Sequence, residues 1–189
     1  GFILPFFHKE PLGFNLTSVL TIALDAHKTG LVPYSCGVFL CRKYLQKYVE
    51  TDADYLHGHF DDTLIGSRSG AIAAGLWHAL VSQGSEGYRK IYTQCFKYKN
   101  DFLKSLKEND IPHWHYTHPY SNIVAIQFTR LPHYRLTPSV EDLYGLNLAT
   151  IENSSESRQV YKLIFMPHVK ERIIQSLVKA IKRECRQAL

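Results

Sequence analysis

Asp25-Ala26-His27-Lys28-Thr29-Gly30-Leu31-Val32-Pro33 lies between two apolar runs, Ser18-Val19-Leu20-Thr21-Ile22-Ala23-Leu24 and Cys36-Gly37-Val38-Phe39-Leu40-Cys41. The first run is apolar and rich in β-branched residues, the pattern of a buried strand, and the second is a further short apolar run. The stretch between them is polar and turn-forming. Strand, loop, strand therefore puts Lys28 at the exit of a buried sheet, where loops on a rigid scaffold present reactive groups. An amine there can form a Schiff base with an aldehyde cofactor, and burial would lower its pKa by disfavouring the ammonium form. His27 supplies a ring and a hydrogen-bond donor beside it. Taken alone, a His-Lys pair on a loop reads as an ordinary piece of surface.

Working outward, 42–50 reads as a short helix and 51–66 as irregular, rich in Asp, His and Tyr. A helix over about 67–81 is apolar and Ala-rich, through Ala71, Ile72, Leu76, Ala79 and Leu80, and is expected to be buried on most of its surface. Trp77 and His78 on it are read as core or interface residues. Gly84-Ser85 breaks it. A second helix follows over 86–108, with Tyr88, Ile91, Tyr92, Cys95, Tyr98, Phe102 and Leu106 at helical spacing. Tyr88, Tyr92 and Tyr98 read as packing residues. Beyond Pro112 the pattern changes to strands at 113–117, 122–128 and 160–165, a short helix at 138–144, and a helix opened by Pro167. The apolar face of that last helix is Val169, Ile173, Ile174, Leu177, Val178 and Ile181. Strands followed by helices make an α+β unit from about residue 110.

Composition sets bounds on function. The 189 residues carry a formal charge of +5, and 45% of them are hydrophobic. The basic excess is spread over helix faces without an arginine-rich run, so nucleic acid is not an expected partner. No apolar run is long enough to span a bilayer, and no membrane partner is expected. The apolar start lacks the basic flank and cleavage site of a signal peptide. Cys36, Cys41, Cys95 and Cys185 form no C-x-x-C pair, which fits free thiols in a reducing cytosol. His57, His59, His113, His115 and His118 lack a carboxylate or cysteine to complete a ligand pattern, so no metal is expected.

Four motifs share a likeness. Asp25-Ala26-His27-Lys28 with Thr29-Gly30-Leu31-Val32-Pro33 resembles the cofactor-lysine segment of group II decarboxylases, which depend on pyridoxal 5'-phosphate (PLP). Gly66-Ser67-Arg68-Ser69-Gly70-Ala71 and Gly84-Ser85-Glu86-Gly87-Tyr88-Arg89 resemble a second signature and a G-x-x-G-Y helix start of the same group. Phe165-Met166-Pro167-His168-Val169 resembles the strand-to-helix junction of the archaeal-type tyrosine/aspartate decarboxylases. Gly1 to Phe7 is similar to the stretch after the family's cofactor-binding aspartate. The resemblance spans nearly the whole chain, least well over 116–157.

The resemblance implies an α/β architecture: the C-terminal part of a PLP-dependent transferase large domain (fold type I, like aspartate aminotransferase) over 1–108, and an α+β small domain over 109–189. It implies decarboxylation of an L-amino acid such as tyrosine, aspartate or glutamate, in a cytoplasmic homodimer. Lys28 would hold PLP, and its freed amine would shuttle protons. His27 would contact the cofactor phosphate, and Asp25 would lie near it. Ser67 would reach the phosphate of the partner subunit's cofactor, with Arg68 supporting that loop. A tyrosine on a mobile segment protonates the product in the family. Tyr55 is assigned that catalytic role here, with His57 and His59 as further candidates. Arg135 and Arg158 are candidates for holding the substrate carboxylate, outside any matched motif.

The family's chain is well over twice this length, and its pyridine-binding aspartate would lie just before Gly1. The chain is thus expected to need the N-terminal half, as a fragment, a split-gene product or one chain of a complex. Two alternatives remain: a carbon–carbon lyase of the sphingosine-phosphate lyase type, and a non-catalytic fragment.

Overall fold

The computed structural model describes residues 2–52, 60–61, 68–152 and 156–188. Its contacts divide the chain into two compact units, Gly1–Tyr88 and Arg89–Leu189. The second half of the long helix thereby groups with the C-terminal unit.

The N-terminal unit is built around a ribbon. Strand β1 (Thr21–Asp25) pairs antiparallel with β2 (Gly37–Cys41), so that Asp25 faces Gly37 and Thr21 faces Cys41. A one-turn helix, α1 (Ala26–Thr29), follows β1 directly. Arg42 ties the preceding chain to the end of β2. Its guanidinium donates to the carbonyls of Val19 at 2.9 Å, Leu16 at 3.0 Å and Phe14 at 3.2 Å, and it sits over the Phe14 ring. Two-residue strands β3 (Thr51–Asp52) and β4 (Phe60–Asp61) pair with each other.

The long helix α2 (Gly70–Glu108) is interrupted at Gly84, where φ is 57° and ψ is −174°. Only glycine adopts that conformation without strain, which is why the expected break falls there.

Three expectations for this unit are corrected. Residues 18–20 lie outside β1, and along the strand exposed and half-buried positions alternate, so it is not a buried strand. Among the described residues β1 and β2 pair only with each other. A two-stranded ribbon cannot cover both of its own faces. Residues 43–48 form a 3-10 helix in place of an α-helix. Tyr44, Tyr48 and Val49 are exposed there, so no buried face rewards the cost of helix nucleation. The helix before Gly84 exposes Trp77, Leu80 and Val81 and buries Ala79. Its apolar character came through in the sequence, but no layer of the described unit packs over it.

The C-terminal unit is a four-stranded antiparallel sheet with helices on one face. Strands β5 (His113–Thr117), β6 (Ile123–Phe128), β7 (Leu148–Glu152) and β8 (Ser157–Ile164) run in the order β5-β6-β8-β7. Register places Ile126 opposite both His115 and Tyr161, so Val124, Ile126, Tyr161 and Leu163 line one face. Against that face pack Phe102 and Leu106 of α2, and Ile174, Leu177, Val178 and Ile181 of α4 (Glu171–Gln187). The spacing of the α4 residues is the i, i+3, i+4, i+7 stripe of an amphipathic helix. Helix α3 (Pro138–Tyr144) ends at Gly145, which is left-handed at φ 62°.

Two corrections apply here. Helix α4 starts at Glu171 rather than at Pro167, after a turn in which the Val169 amide donates to the Met166 carbonyl. Strand β7 had no sequence expectation. Its residues are mostly exposed, and the ladder to β8 imposes the extended form.

Buried polar groups in this unit are partnered. Glu141 accepts from Arg135 Nε at 3.0 Å and Nη2 at 2.9 Å, and from the Tyr161 hydroxyl at 2.5 Å. The Arg135 hydrogen bond holds the Glu141 carboxyl below its ordinary pKa. Burial pushes the Tyr161 hydroxyl up. Glu184 accepts from the Thr137 amide and hydroxyl. Lys99 is buried, and its ammonium donates to the carbonyls of His118 at 3.0 Å and Ser121 at 2.8 Å. Burial lowers its pKa.

Candidate functional site

Asp25, His27 and Lys28 come together where β1 turns into α1. A single helical turn does not hold itself in water, so its position depends on the contacts at its two ends. At the first end, the His27 amide donates to the Cys36 carbonyl at 3.1 Å, and His27 Nδ1 lies 2.9 Å from the same oxygen. The Tyr34 ring meets the imidazole edge-on, 4.8 Å between centroids. At the other end, the Gly30 amide donates to the Ala26 carbonyl at 2.6 Å. A Cβ on Gly30 would lie 2.7 Å from that carbonyl oxygen and 3.0 Å from the Ala26 Cα. Backbone cannot yield there, so the turn demands glycine.

The Lys28 ammonium pairs with the Asp25 carboxylate. That hydrogen bond and the adjacent charge hold Asp25 below its ordinary value of 3.8. The side chain of Lys28 is 67% exposed, which corrects the expectation of a desolvated amine. The turn that carries it lies on a two-stranded ribbon, and a ribbon shelters only what points into its own cover.

Beside this group is a cleft of about 870 Å3. Leu24, Asp25, Cys36, Phe39, Arg68 and Leu76 are among its lining residues. Its volume lies in the range of small-molecule sites. An amine on a short turn, a neighbouring oriented imidazole and an adjoining cleft suit an aldehyde cofactor with an anionic handle. The chemistry of these residues fits PLP.

The other residues singled out in the sequence lie elsewhere. Tyr55, His57, His59 and Ser67 fall outside the described residues. Arg68 lines the cleft. Arg135 is engaged by Glu141. Arg158 donates to Glu156 at 2.8 Å and lies over the Trp114 ring at 4.5 Å. The rings of His113 and His115 lie 5.3 Å apart on β5, and His113 Nδ1 is 2.7 Å from the Ile111 carbonyl. The sequence pattern marks Tyr88 as a packing residue. Its buried hydroxyl donates to the Gly30 carbonyl at 2.8 Å, which ties the helix after Gly84 to the lysine turn. Its place in the G-x-x-G-Y motif was the signal that marked it.

An L-aspartate/L-glutamate decarboxylase of Pyrococcus horikoshii is 29% identical over 96% of this chain and 47% of its own length. A tryptophan decarboxylase of Clostridium sporogenes is 31% identical over 97% of this chain and 42% of its own length. The chain belongs to the group II PLP-dependent decarboxylase family. It spans about half the length of the curated relatives it matches and corresponds to the family's C-terminal portion. A glutamate decarboxylase of Lactobacillus brevis superposes with a TM-score of 0.80 at 18% identity, over 99% of this chain and 45% of that one. A sphingosine-1-phosphate lyase of Burkholderia pseudomallei superposes with a TM-score of 0.73 at 20% identity, over 97% and 42%. Both support the expected fold type I architecture. No family model matches the chain. Among the described residues, no helix is long and apolar enough to cross a membrane.

Proposed function

We propose that this chain carries the cofactor-lysine portion of a PLP-dependent decarboxylase acting on an L-amino acid of the tyrosine, aspartate or glutamate kind. The observation that carries this reading is the grouping of Asp25, His27 and Lys28 on one turn beside a cleft. In it, Lys28 attaches the cofactor and, once displaced by the substrate amine, carries protons at Nζ. Asp25 keeps that amine on the turn before attachment. His27, oriented by the Cys36 carbonyl, contacts the cofactor phosphate through its ring. Ser67 reaches the partner subunit's cofactor, and Tyr55 returns a proton to the product. When bound, PLP supplies a protonated pyridine ring that takes up the electrons left by departing carbon dioxide.

The reading extends to the assembly. Residues 1–108 act as the C-terminal part of the cofactor domain, and 109–189 as the small domain. The working enzyme is a cytoplasmic homodimer, or a complex with the N-terminal half, and that half supplies the rest of the pocket. The exposed apolar side chains of Trp77, Leu80 and Phe39 support a covered state of this kind.

The test is direct. The chain is incubated with PLP and reduced with borohydride, and the label is mapped. It is expected on Lys28 and lost in Lys28→Ala. No label on Lys28, even with the other half supplied, would favour a non-catalytic fragment. A carbon–carbon lyase is the second reading, supported by the superposition on the Burkholderia protein. Release of an aldehyde from a phosphorylated amino alcohol, without carbon dioxide from any amino acid, would select it.

A further inference from the structure

We propose that Tyr88 is a positioning residue for Lys28, an inference that rests on Lys28 being the cofactor lysine. The Lys28 side chain is 67% exposed and its ammonium pairs with Asp25 at the start of the same turn, so its aim follows the backbone of 25–30. The first end of that turn is held within the ribbon, by two bonds from His27 to Cys36. The far end is held from outside the ribbon, by the Tyr88 hydroxyl on the Gly30 carbonyl.

Tyr88 is itself fixed. It is fully buried. Its ring is stacked on Phe6 at 5.1 Å between centroids and met edge-on by Phe2 at 5.4 Å. A buried phenol needs an acceptor, and a buried carbonyl needs a donor. Each satisfies the other here, so the bond persists while the aromatic stack persists. The exclusion of any Cβ at Gly30 lets the carbonyl sit where the phenol reaches it. The role is geometric. Tyr88 is not among the residues lining the cleft, and it acts by keeping the turn from rotating about its His27 end.

The experiment uses the 189-residue chain with two readouts. Tyr88→Phe keeps the ring and its stack and removes only the hydroxyl. Amide hydrogen exchange at residues 27–31 should then accelerate about ten-fold, with β6 and α4 unchanged. Borohydride trapping with PLP should lose selectivity, the Lys28-to-Lys104 labelling ratio falling by about three- to ten-fold. A purely structural loosening would move both lysines or neither. Phe6→Leu retains the hydroxyl and should shift both readouts in the same direction by less. It also serves as the test should Tyr88→Phe not fold. Unchanged exchange at 27–31 overturns the proposal, and so does faster exchange with an unchanged labelling ratio. Absence of selective Lys28 labelling in the unsubstituted chain, with the other half supplied, overturns instead the lysine reading on which the proposal rests, and the exchange data keep the two failures apart.

Discussion

Trp77 and Phe102 are both large aromatic residues of α2, one on each side of Gly84, yet Trp77 is 66% exposed and Phe102 is 0% exposed. Phe102 belongs to the C-terminal unit, where a sheet face and two helices close over one another. Trp77 belongs to the N-terminal unit, where a ribbon and a helix leave much of their apolar surface open. The same kind of residue therefore stabilises one unit and leaves the other incomplete. The difference teaches that helical apolar spacing reports what a segment can bury, while the number of layers around it decides what it does bury.

The largest expected effect comes from breaking the closed side. Phe102→Ala should cost about 3–5 kcal/mol in the C-terminal unit, read as a fall in the urea midpoint. Glu141→Gln should cost about 1–3 kcal/mol, because Arg135 and the Tyr161 hydroxyl lose an ionised acceptor. The pH dependence has a definite sign. The folded-state pKa of Glu141 is depressed, first by the Arg135 hydrogen bond and also by that from Tyr161. Its contribution is present above the ordinary carboxylate value of 4.5 and is lost as pH falls from there through the folded value. Acid titration of the unsubstituted unit should show this loss, and Glu141→Gln should flatten it.

Gly84→Ala probes the break in α2. The positive φ there should cost about 1–2 kcal/mol, measured by thermal unfolding followed by circular dichroism. On the open side, Trp77→Ala should change the stability of the isolated chain by less than about 0.5 kcal/mol. A much larger loss would mean that Trp77 is covered in solution, and the contrast with Phe102 would disappear. The smallest effect is local. In Lys28→Ala the Asp25 carboxyl should titrate closer to 3.8, since Lys28 is the main cause of its depression. Carboxylate chemical shifts followed through the acid range would detect this.

Much of the fold was legible. The helix over 138–144, the strand over 113–117, the break at Gly84 and the core stripe Ile174, Leu177, Val178 and Ile181 follow from local spacing and turn chemistry, and the structure has them there. At the candidate site, the grouping of Asp25, His27 and Lys28 was legible because the three lie within four residues. Strand β7 was not, because an exposed strand carries no alternation of its own and exists through β8. The start of α4 was misplaced, because Pro167 suits a turn as well as a first helical position.

The order of residues alone determined which segments turn, which are apolar, and which side chains bring an amine, an imidazole and a carboxylate onto one short loop. Tertiary structure decided the exposure of Lys28, the open face around Trp77 and the bond from Tyr88 to Gly30. The reason is physical. Local properties follow from neighbours within a few bonds, whereas burial and a hydrogen bond between residues 58 positions apart depend on which distant surfaces the folded chain brings together.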